Sequence, residues 1–220
     1  MIKVEYIDVY GFEHAIRGMR NPMNSWDKSD SIKCYTNANC QWICKNNKCG
    51  WCIGENDLDL MRRLFEAGTE HRKYLRQIFV SMDITAPLYW WKEFDTYKVG
   101  TVANSCSTMH KIADKEFTLD DFSHEQLEGA LPVMDEVIKC LNHNRELFIK
   151  TKNKYFWWQM IQLLPSSYNQ KRTVTMNYEN VVTIIKQRTG HKLDEWNDFV
   201  DVLKDLPYVI DISNEGNKNE

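Results

Sequence analysis

No run of this 220-residue chain approaches the roughly 20 apolar residues that a bilayer-spanning helix needs, so no membrane partner is expected. An excess of positive charge is missing too. The net charge is −3, with 28 Lys and Arg against 31 Asp and Glu, which argues against gripping nucleic acid by phosphate neutralisation. The N-terminal "MIKVEYIDVYG" lacks the apolar core of a signal peptide, and a cytoplasmic location is expected. There is no internal repeat and no strict strand–helix–strand rhythm, which favours an α+β class over a parallel α/β one.

Large side chains and thiols are plentiful. The 8 Trp, 10 Tyr and 9 Phe imply that big rings dominate the packing or line a pocket. Of 7 Cys, Cys34, Cys40, Cys44, Cys49 and Cys52 cluster in a short polar stretch. With an odd count and no export signal, they read as thiols, a redox pair or a metal site. The "CGWC" run from Cys49 to Cys52 suits a reactive dithiol or half of a tetrahedral zinc site. For zinc, Cys40 and Cys44 complete a four-thiolate set with Cys49 and Cys52, leaving Cys34 over. Cys106 and Cys140 stand apart, and the pattern around Cys140 suits a small buried hydrophobe on a helix.

Hydrophobic spacing sets out the elements. "IKVEYIDVYG" alternates as an opening strand, and Phe12, Ala15, Ile16 and Met19 form a helical stripe ending before Pro22. Periodicity then vanishes until Gly54. Asn56 is a cap for a helix through Leu58, Met61, Leu64 and Phe65. "QIFVSMDIT" alternates as a buried strand, and Thr85 with Pro87 opens the aromatic helix "APLYWWKEF". A polar run, "DTYKVGTVANSCSTMHK", reads as a loop. Ser123 and Gln126 make a capping-box pattern opening a long helical region that Pro132 should kink or divide. "NKYFWWQMIQLL" is a helix stopped by Pro165, and "RTVTM" a short strand. Asn177 caps a further helix that Gly190 ends. Trp196, Phe199, Val200 and Leu203 mark the last amphipathic helix, and "YVIDI" is a candidate sheet edge. The expectation is one domain over 1–212 with a Cys-rich insertion at about 22–54, and a disordered tail over 213–220.

The order "RLFEAGTEH", "QIFVSMDITAP", a Ser/Asn-rich loop and "LPSSYNQKRTVTMNYENVVTIIKQR" resembles the flavin-dependent thymidylate synthases, over roughly Asn56 to Leu206. The resemblance implies their fold, a small mostly antiparallel sheet with several long helices. It implies synthesis of dTMP from dUMP, with methylenetetrahydrofolate as carbon donor, NADPH-reduced FAD as hydride source, and a homotetramer.

The family signature reads Arg-His-Arg, two residues, Ser, one residue, Asn-Glu, one residue, Ser, one residue, Arg-Tyr. Here Thr96-Tyr97-Lys98 stands for the opening triplet. With one extra residue, Thr101 stands for the first Ser, Asn104 and Ser107 match, Ser105 replaces Glu, and Met109-His110 replaces Arg-Tyr. The lost arginines remove planar forks that suit phosphate.

Carried over residue by residue, His71, Lys73, Tyr97, Lys98 and Asn177 are the implied FAD contacts. Glu93, Ser105, Ser107, Thr108 and Arg188 are the implied nucleotide contacts, with Arg188 also polarising the pyrimidine. Arg172 and Lys171 lie near a position where the family binds phosphate. Read without the resemblance, Arg188 is a cation at a helix C-terminus, Trp90 and Trp91 are core or interface residues, and Arg62, Arg63, Arg72, Lys73 and Arg76 form a solvated basic face. Two other functions fit the sequence: an inactive nucleotide-binding or regulatory paralogue, and an interaction protein stapled by zinc.

Overall fold

A computed structural model describes residues 2–34 and 50–213. In chain order the elements are β1 (Lys3–Tyr10), α1 (Phe12–Arg20), β2 (Ile32–Lys33), β3 (Trp51–Cys52), α2 (Glu55–Glu66), β4 (Phe79–Pro87), α3 (Leu88–Phe94) and β5 (Thr101–Ser105). There follow α4 (Thr108–Lys111), α5 (Leu131–Thr151), α6 (Lys154–Leu163), β6 (Asn169–Asn177), α7 (Tyr178–Arg188), α8 (Asp194–Lys204) and α9 (Val209–Ser213). One small antiparallel sheet has the order β1-β4-β6-β5, and β2 pairs antiparallel with β3. The class is α+β, as the sequence pattern implies. No helix among the described residues is long and apolar enough to cross a membrane.

The chain divides into two units. One comprises Met1–Lys3, Asp83–Thr96 and Ala103–Thr173. Here α5 lies against α6 over a cluster of Ile112, Phe117, Phe122, Met134, Leu141 and Met160. Trp90 stacks on Phe94 of α3 while Trp91 meets both rings edge-on, and all three are buried, in keeping with the core reading of Trp90 and Trp91. Pro132 sits in the first turn of α5, where its missing N–H costs nothing, so it starts the helix instead of kinking it. The capping box is made by Thr118 and Asp121 of a 3-10 turn, not by Ser123 and Gln126. Cys140 is exposed on α5, not buried.

The second unit comprises Val4–Met82, Tyr97–Val102 and Val174–Glu220. Phe12, Ala15, Ile16 and Met19 bury one face of α1, the face their spacing predicts. Gly11 makes the turn from β1 into α1 at φ +99°, and a Cβ there would overlap the carbonyl of Gln77. The entry to α2 is built differently from the sequence expectation. Its cap position is Gly54, not Asn56, because the Asp30 carboxylate reaches in and accepts from the amides of Asn56 and Asp57 at 2.9 and 3.1 Å.

Beside it Asp57, fully buried, accepts from Arg20 Nε at 2.6 Å, Ser29 Oγ at 2.7 Å, Ser31 Oγ at 2.6 Å, and the amides of Asp30 and Ser31. Burial pushes the Asp57 carboxyl up, but the hydrogen bonds from Ser31, Ser29 and Arg20 outweigh it and hold the group below its usual range. "YVIDI" does not close a sheet edge. Val209–Ser213 is helical, and Val209 and Ile212, three apart, bury one side of that turn.

Candidate functional site

The second unit brings together most of the implied flavin contacts around α7. Asn177 is the N-cap of this helix, its Oδ1 accepting from Asn180 N at 3.0 Å. The residue is 7% exposed, and the cap engages the Oδ1 of the side chain that the resemblance assigns to flavin. Segment Tyr97–Val102 lies along α7 and is tied down at both ends. Asn180 Nδ2 donates to Val99 O at 2.7 Å and Thr101 Oγ1 at 2.8 Å, while Tyr97 OH donates to Gln187 Oε1 at 2.9 Å. Gly100, at φ +73°, presses on the carboxamide of Asn177, and any Cβ would overlap Asn177 Nδ2. Lys98 is exposed on this segment.

At the other end of α7, Arg188 donates through Nε to Tyr97 OH at 2.9 Å and lies 3.1 Å from His191 Nε2. Its guanidinium stacks 4.4 Å above the ring of the fully buried Trp196 and 5.6 Å from that of Tyr97. It is therefore a packed, hydrogen-bonded residue of the helix terminus. His71 and Lys73 are both exposed, on the turn after α2 and at the start of the 3-10 turn Lys73–Gln77. Between them Arg72 is only 19% exposed and donates twice to Glu179 Oε1, at 2.7 and 3.0 Å, so the basic run is not wholly a solvated face. Glu179 Oε2 is buried and has no hydrogen-bond partner among the described residues.

The first unit holds the remaining implied contacts. The polar run is not a continuous loop: Thr101–Ser105 form edge strand β5, whose far end is fastened to β6 by Cys106 N→Lys171 O at 2.9 Å. Ser105 and Ser107 are exposed and Thr108 half-buried. Ser107 Oγ accepts from His110 N at 3.0 Å as the cap of α4.

Next to them, Met109, His110, Ile112, Phe148, Lys154 and Trp157 line an open pocket of about 330 Å3. Trp157 Nε1 donates to Met109 O at 3.0 Å, and Lys154 Nζ sits 6.0 Å from the Trp157 ring. An aromatic wall, a cation and an imidazole suit a planar ring carrying negative charge. Glu93 is half-buried in the last turn of α3. Arg172, 13% exposed, is spoken for: it bonds Asp95 at 2.8 Å and Gln170 at 2.9 Å, and lies 4.1 Å over Trp91. Lys171 pairs with Asp83 at 2.9 Å; a hydrogen bond from Thr173 and this ammonium hold the Asp83 carboxyl below its usual range.

Asn180, Gly100, Glu179, Lys154 and Trp157 are the residues that sequence reasoning passed over. The last two had a signal, three apart on one helix face. Of the four proposed zinc ligands, Cys40, Cys44 and Cys49 lie outside the described residues. Cys52 lies against Cys34, the cysteine left over in the zinc reading, with the sulfurs 2.7 Å apart. Among the described residues no group of three or more His, Cys, Asp or Glu is placed to hold a metal ion, so zinc gains no support.

No family model and no curated protein matches the sequence. Solved structures do match the fold. Thymidylate synthase X from Helicobacter pylori, in a crystal structure with FAD and dUMP, aligns over 100% of both chains at TM-score 0.66 and 15% identity. A second crystal structure of this flavin-dependent enzyme with FAD and dUMP aligns over 98% of both chains at TM-score 0.65 and 15% identity. This chain has the fold of the flavin-dependent thymidylate synthases.

Proposed function

We propose that the chain is a divergent flavin-dependent thymidylate synthase-like protein that takes FAD and a pyrimidine nucleotide, dUMP, and methylates it to dTMP with methylenetetrahydrofolate. The observation that carries this reading is the strapped assembly of Tyr97–Val102 along α7, between Asn177 and Arg188. It keeps the aligned loop and helix together although the loop's arginines are gone.

The residues present fit FAD on charge and on one unmet acceptor. His71, Lys73 and Lys98 are exposed basic groups of the same unit, and Lys73 and Lys98 suit a pyrophosphate. Glu179 Oε2, buried and without a partner among the described residues, suits a donor on a base or ribose. Bound FAD would supply the hydride. The protein's own part would be orientation: within the second unit, Lys98 for phosphate, Tyr97 for the flavin and Arg188 for the pyrimidine, and within the first, Ser105 and Thr108 for phosphate and Glu93 for the nucleotide. A homotetramer and a folate site belong to the same proposal.

One observation favours the second reading, a nucleotide-binding paralogue without the chemistry. Two cations near the implied contacts are already engaged, Arg172 by Asp95 and Trp91, and Arg188 by Tyr97 and Trp196. The deciding experiment incubates the purified chain with FAD, desalts it, records the visible spectrum, and then follows dUMP-dependent NADPH oxidation and dTMP formation. Retained flavin absorbance with dTMP formed supports the enzyme. Binding of dUMP without NADPH oxidation supports the paralogue, and a colourless protein indifferent to dUMP refutes both.

A further inference from the structure

Cys34 and Cys52 sit on adjoining strands of the β2–β3 ribbon, where Ile32 faces Cys52 and Lys33 faces Trp51. Cys34 N donates to Gly50 O at 2.8 Å, which carries the pairing one residue further and leaves the two cysteines diagonal to each other. Their sulfurs are 2.7 Å apart. Non-bonded heavy atoms rest at about 3.5–4.0 Å, and a disulfide spans about 2.05 Å. The ribbon thus places the two sulfurs in contact, within easy reach of a bond.

This placement is imposed from both sides. Before β2, Ser29, Asp30 and Ser31 are bound to Asp57, and Ser31 Oγ also accepts from Gly54 N at 3.1 Å. Around Cys52, Tyr208 OH donates to Trp51 O at 3.2 Å and accepts from Ile53 N at 3.1 Å. Cys34 is half-buried and Cys52 is 4% exposed, so an incoming reagent meets Cys34 first.

We infer that Cys34 and Cys52 are a reversible dithiol–disulfide pair, oxidised by exchange with a low-molecular-weight disulfide of the glutathione class. The Cys34 thiolate attacks one sulfur of that disulfide, forming a mixed disulfide and expelling one small thiol. The Cys52 thiolate then attacks the Cys34 sulfur, forming the intramolecular bond and expelling the second small thiol. Two protein thiols are oxidised, one small disulfide becomes two small thiols, and each leaving thiolate takes up a proton given up by a cysteine. The bond ties together residues 18 apart, so the oxidised chain melts several degrees higher than the reduced one. This inference does not depend on the proposed nucleotide chemistry.

The test equilibrates the full chain, without oxygen, across a series of reduced-to-oxidised glutathione ratios, traps free thiols by alkylation, and locates the label by peptide mass spectrometry. Cys34 and Cys52 should lose label together over one range of ratios, and dithiothreitol should restore it, while exposed Cys106 and Cys140 show no such paired transition. Cys52→Ser should trap one glutathione on Cys34, whereas Cys34→Ser should leave Cys52 largely unmodified. Independent loss of label, bonding of either residue to Cys40, Cys44 or Cys49 instead, or shielding of both by a stoichiometric metal that a chelator removes, overturns the inference. Should a serine variant fail to fold, the wild-type trapping series decides alone.

Discussion

Replacing Asp57 with Ala should be among the most damaging single changes in the second unit. The carboxylate is fully buried and takes five donors: Arg20 Nε, two serine hydroxyls and two backbone amides. Truncation strands the Arg20 guanidinium, itself 5% exposed, without a counter-ion. Breaking a buried ion pair from one side costs about 3–5 kcal/mol.

Arg20→Met should cost less, roughly 1–3 kcal/mol, because Asp57 keeps its hydroxyl and amide donors. The order Asp57→Ala worse than Arg20→Met is the structural claim, measurable by urea unfolding at neutral pH through tryptophan fluorescence. The sign with pH follows from the depressed carboxyl. Its stabilisation is complete above the unfolded value of 3.8 and is lost as pH falls through the lower folded value. Wild type should therefore lose more stability than Asp57→Ala on acidification from about pH 5 to 2. Equal costs for the two variants, or parallel acid profiles, would refute the account of this cluster.

Gly100→Ala should cost about 1–3 kcal/mol, since it meets a positive φ and the Asn177 carboxamide, and it should weaken FAD retention in the desalting assay. Arg188→Lys keeps charge but loses the planar fork over Trp196, so calorimetry should show a loss of about 1–2 kcal/mol. Asp95→Ala releases Arg172 from its carboxylate partner, and titration calorimetry should find dUMP bound several-fold more tightly if that cation faces the nucleotide. Trp157→Ala removes a wall of the pocket beside α4 and should lower affinity for an aromatic anion about tenfold, and it should also lower the melting temperature, because Trp157 packs on the core cluster and bonds Met109 O.

Strongly periodic segments were legible in the sequence. The α1 stripe, the alternation of β4 and the Asn177 cap of α7 each depend on local rules that tertiary contacts here reinforce. Misreadings fell where a distant group took over. Asn56 looks like a cap until the Asp30 carboxylate supplies one, and Thr85 looks like a helix start although β4 runs on through Pro87, placing the first turn of α3 at Leu88. β5 was hidden because its residues are mostly exposed, as an edge strand allows, and its two apolar residues, Val102 and Ala103, are adjacent, so no apolar alternation marks it. For the candidate site, residue identity was legible but availability was not. Nothing in the letters around Arg172 or Arg188 says that Asp95 and Tyr97 already engage them.

The strand character of β5 changes what its one extra residue means. In a flexible loop, an insertion is absorbed by slack. In a strand, side chains alternate sides, so adding one position between two residues inverts their parity. The signature's Ser and Asn are two apart in sequence, whereas Thr101 and Asn104 are three apart within the strand Thr101–Ser105 and so point to opposite sides. In this chain, then, Thr101 and Asn104 cannot both serve a ligand on one face of β5, and Thr101 is turned toward Asn180, from which its hydroxyl accepts.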